Sequence, residues 1–337
     1  MAEIVLGLDF GSSYVSIIKK DVGLILKEPN VIAVKKDSNN SFVIEEIGEK
    51  AKTMLGKTDN RFAVFCPVNN GEIVSEKYAS LVLSHFLTKL NIKRSLFTRL
   101  KFVVTIPVGI SEEEKQKYIN LCYSVGAKQV VCIPKIYASA LGENINIGAN
   151  NAKLVVDIGG GTVECAVINL NSIISGSTLC IGGKTMDATI VDYVKHKYNT
   201  LIGENTAENL KQQIGSLYPN DLATMDVSGV NLSDNTPVLI SVSAKDIFEA
   251  THLFFDEIIK VVRTTINSLS PEISSDVVRN GIYVCGGYAK TVGLDKYIKN
   301  MLGVNVFVSF DCENSLTKGL TKLLAHDDLL ENILTKL

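Results

Sequence analysis

Arginine is scarce in this chain. Only five of its 34 basic residues are Arg, which argues against a site built from arginine phosphate clamps. Charge imbalance is absent too. A formal net charge of −2 exerts no global pull on nucleic acid, so no nucleic-acid partner is expected. The seven cysteines never fall in a C-x-x-C spacing, and most sit inside apolar runs. That argues against a zinc ribbon or a disulfide framework and leaves reduced, buried thiols. No apolar run reaches the ~20 residues needed to span a bilayer. Met1 runs directly into an apolar strand, without a basic stretch or a cleavage site, so no signal peptide is expected. Together these absences predict a cytoplasmic protein, unless it is held at a membrane surface.

What is present is a balance of 46% hydrophobic and 21% charged residues, which suits a soluble globular protein with a substantial core. At 337 residues the chain is long for one compact domain, so two lobes are expected. The most informative stretch is Leu154 to Asn169, LVVDIGGGTVECAVIN, which reads as strand, turn, strand. Three consecutive glycines weaken a strand interior, so they are not there for strand stability. They suit a backbone that bends sharply and cradles phosphate oxygens with successive N–H groups. Asp157, just before them, is placed to hold a hydrated Mg²⁺. The alternative is a glycine-rich hairpin with an ordinary turn aspartate. Residues 3–18 repeat the pattern: an apolar strand, then Asp9-Phe10-Gly11-Ser12-Ser13, then a second apolar alternation. Two such hairpins, one lobe apart, read as an internal duplication closing on one ligand.

The chain between and after them is α/β in texture. Residues 33–72 read as a small insertion, with a turn at Asn69-Asn70-Gly71. Tyr78 to Leu90 has helical spacing. Lys101 to Pro107 reads as a buried strand, and Ser111 caps an acidic helix start. Val130 to Ile133 is the next strand, and residues 134–142 form a short helix, an order that indicates an α/β lobe. Ile181-Gly182-Gly183-Lys184-Thr185 resembles the end of a Walker A loop, but Thr178 stands where its first glycine belongs, so a P-loop is excluded. Helices are expected over Met186 to Tyr198, Thr206 to Gly215 and Ala244 to Leu269, with Leu217 to Pro237 rich in loop. A strand at Gly281 to Val284 leads into Cys285-Gly286-Gly287-Tyr288, where glycines allow close approach of a flat ligand and a following helix N-terminus would favour phosphate. Residues 315–337 read as one or two amphipathic helices.

These features resemble the actin-like ATPase superfamily and, within it, the MreB family of bacterial actins. The segments that carry the resemblance are LVVDIGGGTVECAVI, IGGKTMDATIVDYVKHKYN, LIGENTAENLKQQIGS, NGIYVCGG and VGLDKYI, which together span most of the chain in the family's order. The resemblance implies an actin-like α/β fold of duplicated, ribonuclease H-like lobes, with four subdomains and a nucleotide cleft between the lobes. It places subdomain IA at residues 1–32, 73–142 and 314–337, and IB at 33–72. Subdomain IIA falls at 143–183 and 245–313, and IIB at 184–244. It also implies ATP or ADP with Mg²⁺ as ligands. Phosphate contacts then fall on Gly11, Ser12, Ser13, Gly159, Gly160, Gly161 and Thr162, with Asp9 and Asp157 organising the hydrated metal. Glu204, Glu208, Lys211, Gly286 and Gly287 match the ribose and adenine contacts, while Tyr288 replaces the third glycine of the family's triple-glycine turn.

The resemblance further implies a homopolymer of double protofilaments that sets cell shape, or serves motility in a wall-less cell. The filaments would lie on the inner face of an anionic membrane, with other paralogues or membrane morphogenesis proteins as partners. Lys93-Arg94-Ser95-Leu96-Phe97-Thr98-Arg99 falls where the family carries a lipid-inserting loop, and Leu96 and Phe97 ringed by three cations suit that role. The alternative is an apolar pair tucked into the core. The C-terminal run of Leu323, Leu324, Leu329, Leu330, Ile333, Leu334 and Leu337 is expected to pack on the first lobe, with a second amphipathic membrane anchor as the alternative. One departure is chemical. The family has a Glu-Pro whose glutamate positions the attacking water, with a partner threonine that matches Thr162, and here Lys135 and Ile136 stand in place of the Glu-Pro. A charged lysine cannot accept a proton from water, so ATP binding with slow or absent hydrolysis is expected. A monomeric phosphotransferase of the same fold and a non-polymerising, nucleotide-switched regulator are the alternatives.

Overall fold

A computed structural model describes residues 2–38, 41–92 and 98–337 of the protein. Two five-stranded sheets dominate, and they share one topology. In the first, Ala2–Phe10, Tyr14–Lys19 and Gly23–Pro29 form an antiparallel meander. Thr98–Ile106 and then Gln129–Pro134 add in parallel beside Ala2–Phe10. In the second, Lys153–Ile158, Val163–Asn169 and Ser172–Leu179 make the meander, and Ile282–Cys285 and Val306–Val308 add in parallel. The central strands read as near-continuous Val, Ile and Leu because helices cover both faces and little alternation is needed. Register makes the duplication concrete. Asp9 stands opposite Ser16 and Thr105, and Asp157 stands opposite Glu164 and Cys285, so the two aspartates occupy equivalent places.

Each lobe carries a smaller sheet. Ile32–Lys36 pairs with Phe42–Ile47 and Phe62–Phe65 on the first. On the second, Thr224–Asn231 pairs with Thr200–Leu201 and Pro237–Ser243. The loop expected over Leu217 to Pro237 is therefore corrected: eight of its residues form the middle strand of this sheet. TMDVSGVN is polar because the strand is largely exposed, with Val227 its one fully buried side chain. A helix at Pro271–Asn280, with Pro at its start and the Ser270 hydroxyl accepting from the Ile273 N–H, also went unpredicted.

Two helices run beneath the junction of the large sheets, Lys135–Gly142 and Ser315–Ala325. The first is apolar or small all round and buried from Ile136 onward. The two cross at glycines. A Cβ on Gly142 would stand 2.7 Å from Ser315 Cα, and one on Gly319 would stand 2.6 Å from the Ala138 carbonyl carbon. Leu320 of the same helix seats over Gly7 of the first strand. Ile136, Tyr137, Leu320, Leu323 and Leu324 join Val155, Val156 and Val284 of the second lobe in one continuous core. Leu330 and Ile333 of the last helix, Asp327–Leu334, are buried against the same core. Leu323, Leu324, Leu330 and Ile333 of the C-terminal run thus pack inward, whereas Leu334 and Leu337 remain exposed. Among the described residues no helix is long and apolar enough to cross a membrane, and all seven cysteines are free thiols.

Candidate functional site

A cavity of about 950 Å³ opens between the two large sheets. Its walls bring together Asp9, Gly11, Ser12 and Ser13 of the first hairpin with Asp157, Gly159, Gly160, Gly161 and Thr162 of the second. Lys135, Glu204, Glu208, Lys211, Gly286 and Gly287 complete the set nominated from sequence. Leu96 and Phe97 lie outside the described residues.

The hairpins close alike: the Gly11 N–H donates to the Tyr14 carbonyl at 3.0 Å, and the Gly159 N–H to the Thr162 carbonyl at 2.9 Å. They then face each other so closely that side chains are forbidden on one side. A Cβ on Gly160 would lie 2.8 Å from Ser13 Cβ, and one on Gly161 would lie 2.5 Å from Ser12 Cβ. Fully buried Asn30 braces the first turn, donating from Nδ2 to the Gly11 carbonyl (2.8 Å) and from its backbone N–H to the Ser13 carbonyl (2.9 Å). The second turn rests on the start of the Gly183–Tyr198 helix, whose Gly183 and Lys184 N–H groups donate to the Gly159 and Gly160 carbonyls.

Below the hairpins sits a charged cluster. Thr105 donates to Asp9 Oδ1 at 2.8 Å, and Ser139 donates to Asp157 Oδ2. Burial raises the Asp9 pKa, with Lys135 and Thr105 working against it. Asp157 and Glu164 stand directly opposite on paired strands, an arrangement that is repulsive when both are charged. Lys135, the first residue of its helix, answers them with its ammonium group. Its Nζ lies 3.4 Å from Glu164 Oε1 and 3.4 Å from where a Cβ on Gly159 would be. Burial opposes the charge on Lys135, but Asp157, Glu164 and Asp9 outweigh it and raise its pKa above the ordinary lysine value. Burial also pushes Glu164 up to about 7 in spite of Lys135. Glu164 Oε2 accepts from the Val108 N–H at 3.2 Å, whereas Oε1 is buried without a hydrogen bond. Glu164 escaped the sequence reading, although a carboxylate inside the apolar run VECAVIN was the available signal.

At the other end, the three donors of Lys211 are committed to the Gly183 carbonyl (2.7 Å), Asp187 Oδ1 (2.5 Å) and the Tyr288 hydroxyl (3.1 Å). Burial lowers the Lys211 pKa and pushes Asp187 up to about 6, each opposed by the other's charge. Tyr288 lays its ring over Lys211, 4.2 Å from Nζ to the ring centroid, and against Gly183, where a Cβ would enter the ring. Gly286 has φ +91°, and a Cβ there would be 2.6 Å from Asp157 Oδ1, so only glycine fits. The helix expected directly after this turn is corrected. It begins only at Leu294, because residues 286–293 form an irregular turn with Gly286 and Gly293 both left-handed.

Two lysines tie the lobes across the cavity. Lys184 Nζ donates to the Ser12 carbonyl, and Lys52 pairs with Glu208 at 3.0 Å. Carboxylates, glycine turns and lysine ammonium groups thus converge on one cavity, chemistry that suits an anionic ligand accompanied by a cation.

Comparison with known proteins gives consistent findings. The MreB/Mbl protein family matches residues 3–332. The cell shape-determining protein MreB of Escherichia coli K12 is 32% identical over 326 residues, covering 96% of this chain and 94% of the relative. Among solved structures, MreB5 of Spiroplasma citri bound to AMPPNP superposes with a TM-score of 0.90 at 27% identity, covering all of both chains. The same protein bound to ADP gives a TM-score of 0.88 at 28% identity, covering 95% of this chain and 96% of that one.

Proposed function

The chain belongs to the MreB/Mbl family of actin-like proteins, and from that premise we propose that it binds ATP and ADP between its lobes and polymerises into double protofilaments that determine cell shape. The observation that carries this reading is the cavity. Both aspartate–glycine hairpins, the Glu204–Ile214 helix and the Gly286-Gly287 turn converge on a space of about 950 Å³. The hairpins would hold the phosphates. Glu204, Glu208 and the glycine turn would flank the ribose and base, with the Tyr288 ring narrowing the base end.

Magnesium fits the donor chemistry. Asp9 and Asp157 offer hard oxygens, and among the described residues no group of three or more His, Cys, Asp or Glu forms a metal cage. That suits a hydrated ion shared with phosphates. When bound, the ion would supply positive charge to the phosphate oxygens.

Hydrolysis is slow in this reading. Thr162 lines the cavity, but the neighbouring water-positioning place is taken by Lys135, which is held protonated by three carboxylates. A missing general base typically costs ~10²–10⁴ in rate. In saturating Mg²⁺, Lys135→Glu is expected to raise phosphate release at least tenfold. Equal, actin-like rates in wild type and variant would refute this part.

Assembly is tested by sedimentation and electron microscopy with ATP and with ADP. Filaments in the pellet support the reading, and a monomer in every nucleotide state would favour a phosphotransferase or a switch. Attachment to an anionic membrane through Leu96 and Phe97 belongs to the same proposal. Liposome co-sedimentation should fall in the Leu96→Ala, Phe97→Ala variant, and unchanged binding would count against it.

A further inference from the structure

Lys135 carries three N–H donors into a largely closed site, its side chain only 15% exposed. Among the described residues its one ion pair within 4 Å is with Glu164 Oε1 at 3.4 Å, an oxygen that is itself left without a hydrogen bond. Its ammonium group lines the cavity, where its donors are placed to meet an anionic ligand. It sits beneath Gly159 of the phosphate hairpin, between the hairpin and the aspartates that face the cavity.

Asp9, Asp157 and Glu164 bring three carboxylates to one end of the cavity, two of them directly opposed across a strand pair. A polyanion arriving there needs cations. We propose that Lys135 is a built-in cation of the nucleotide site, supplying part of the positive charge that a divalent ion would otherwise bring to the phosphates, so that nucleotide stays bound when divalent ions are removed. This rests on the nucleotide reading of the cavity. The ammonium N–H groups turn to the terminal phosphate oxygens, and the opposed carboxylates keep their counter-ion whether or not metal is present.

The test measures affinity of the full chain for AMPPNP and ADP by titration calorimetry, once with Mg²⁺ and once with EDTA. A contact from one charged donor is worth a factor of roughly 10–100 in affinity. Wild type is therefore expected to lose no more than about tenfold on chelation. Lys135→Glu should bind with Mg²⁺ and lose at least a further ~100-fold without it. Lys135→Gln, which keeps length and polarity but not charge, should fall between the two. Wild type that binds tightly with Mg²⁺ and not at all in EDTA would overturn the proposal while leaving the nucleotide reading intact. The two wild-type titrations decide between these outcomes even if a variant does not fold. Absence of nucleotide binding under both conditions would overturn both.

Discussion

Gly319→Ala tests the geometry on which the cleft depends. Alanine is favoured over glycine in a helix interior by about 0.8–1 kcal/mol, so a merely permissive glycine at this place would make the variant more stable. The structure reverses that sign. The new Cβ would stand 2.6 Å from the Ala138 carbonyl carbon and 2.8 Å from the Gly142 nitrogen, where ordinary contacts begin near 3.4 Å. The three nearest atoms are all backbone of the Lys135–Gly142 helix, so no rotamer can relieve them and the two helices must part. Overpacking a well-filled interior typically costs about 1–3 kcal/mol, and a backbone clash lies at or above the upper end of that range. After the propensity gain, the net loss is about 2 kcal/mol or more. Urea unfolding of the nucleotide-free protein gives the readout, with Gly287→Ala as control. Nothing lies within 4 Å of a Cβ there and its φ is not left-handed, so the control should stay near wild type. Because Lys135 begins the displaced helix, AMPPNP affinity should also drop in Gly319→Ala. A Gly319→Ala protein as stable as wild type or more so would refute the close crossing.

Gly183→Ala should cost more than about 2 kcal/mol, because its Cβ enters the Tyr288 ring. In a Tyr288→Ala background the same change should cost little, and a double-mutant cycle showing less than about 0.5 kcal/mol of coupling would contradict the contact. Asp246 is buried and accepts from Ser243, Tyr198 and Lys197, and these partners overcome its desolvation to hold the pKa below the ordinary carboxylate value of 3.8. A depressed folded pKa adds stability above pH ~4 that is lost on acidification. Asp246→Asn should therefore be less stable by about 1.5–3 kcal/mol at neutral pH. The gap should shrink below pH ~4 in parallel thermal melts, and a gap that is flat across pH 3–7 would speak against the network. Lys52→Ala removes a partly exposed ion pair and should change stability by no more than about 1 kcal/mol. It should nonetheless speed nucleotide release in stopped-flow chase experiments, since the pair spans the mouth of the cleft.

The legible parts of the fold were local. Asp9 and Asp157 announced themselves because a carboxylate, a glycine turn and two apolar strands lie within about fifteen residues of each other. The helix at Glu112–Ser124 was readable from Ser111 and three glutamates. Thr224–Asn231 was not, because an exposed strand of a small sheet needs no apolar run. The Lys135–Glu164 pair could not be read at all. It depends on a helix following one sheet and a strand of the other being brought together, and spacing along the chain carries no trace of that. The same holds for Tyr288 over Gly183. Nothing in the sequence singles out Asn30, and only its contacts reveal it as the brace of the first turn.

The helix Ser315–Ala325 seats Leu320 over Gly7 in the first strand and packs along the Lys135–Gly142 helix. On the ribosome this separates the making of the first lobe from its completion. The sheet containing Ala2–Phe10 emerges early, yet the part of it that the Ser315–Ala325 helix covers stays bare until the chain has been synthesised beyond residue 325. An apolar surface exposed for that long invites premature association with other nascent chains. On the proposed function, a nascent chain would therefore complete its cleft only when nearly all of it has been translated.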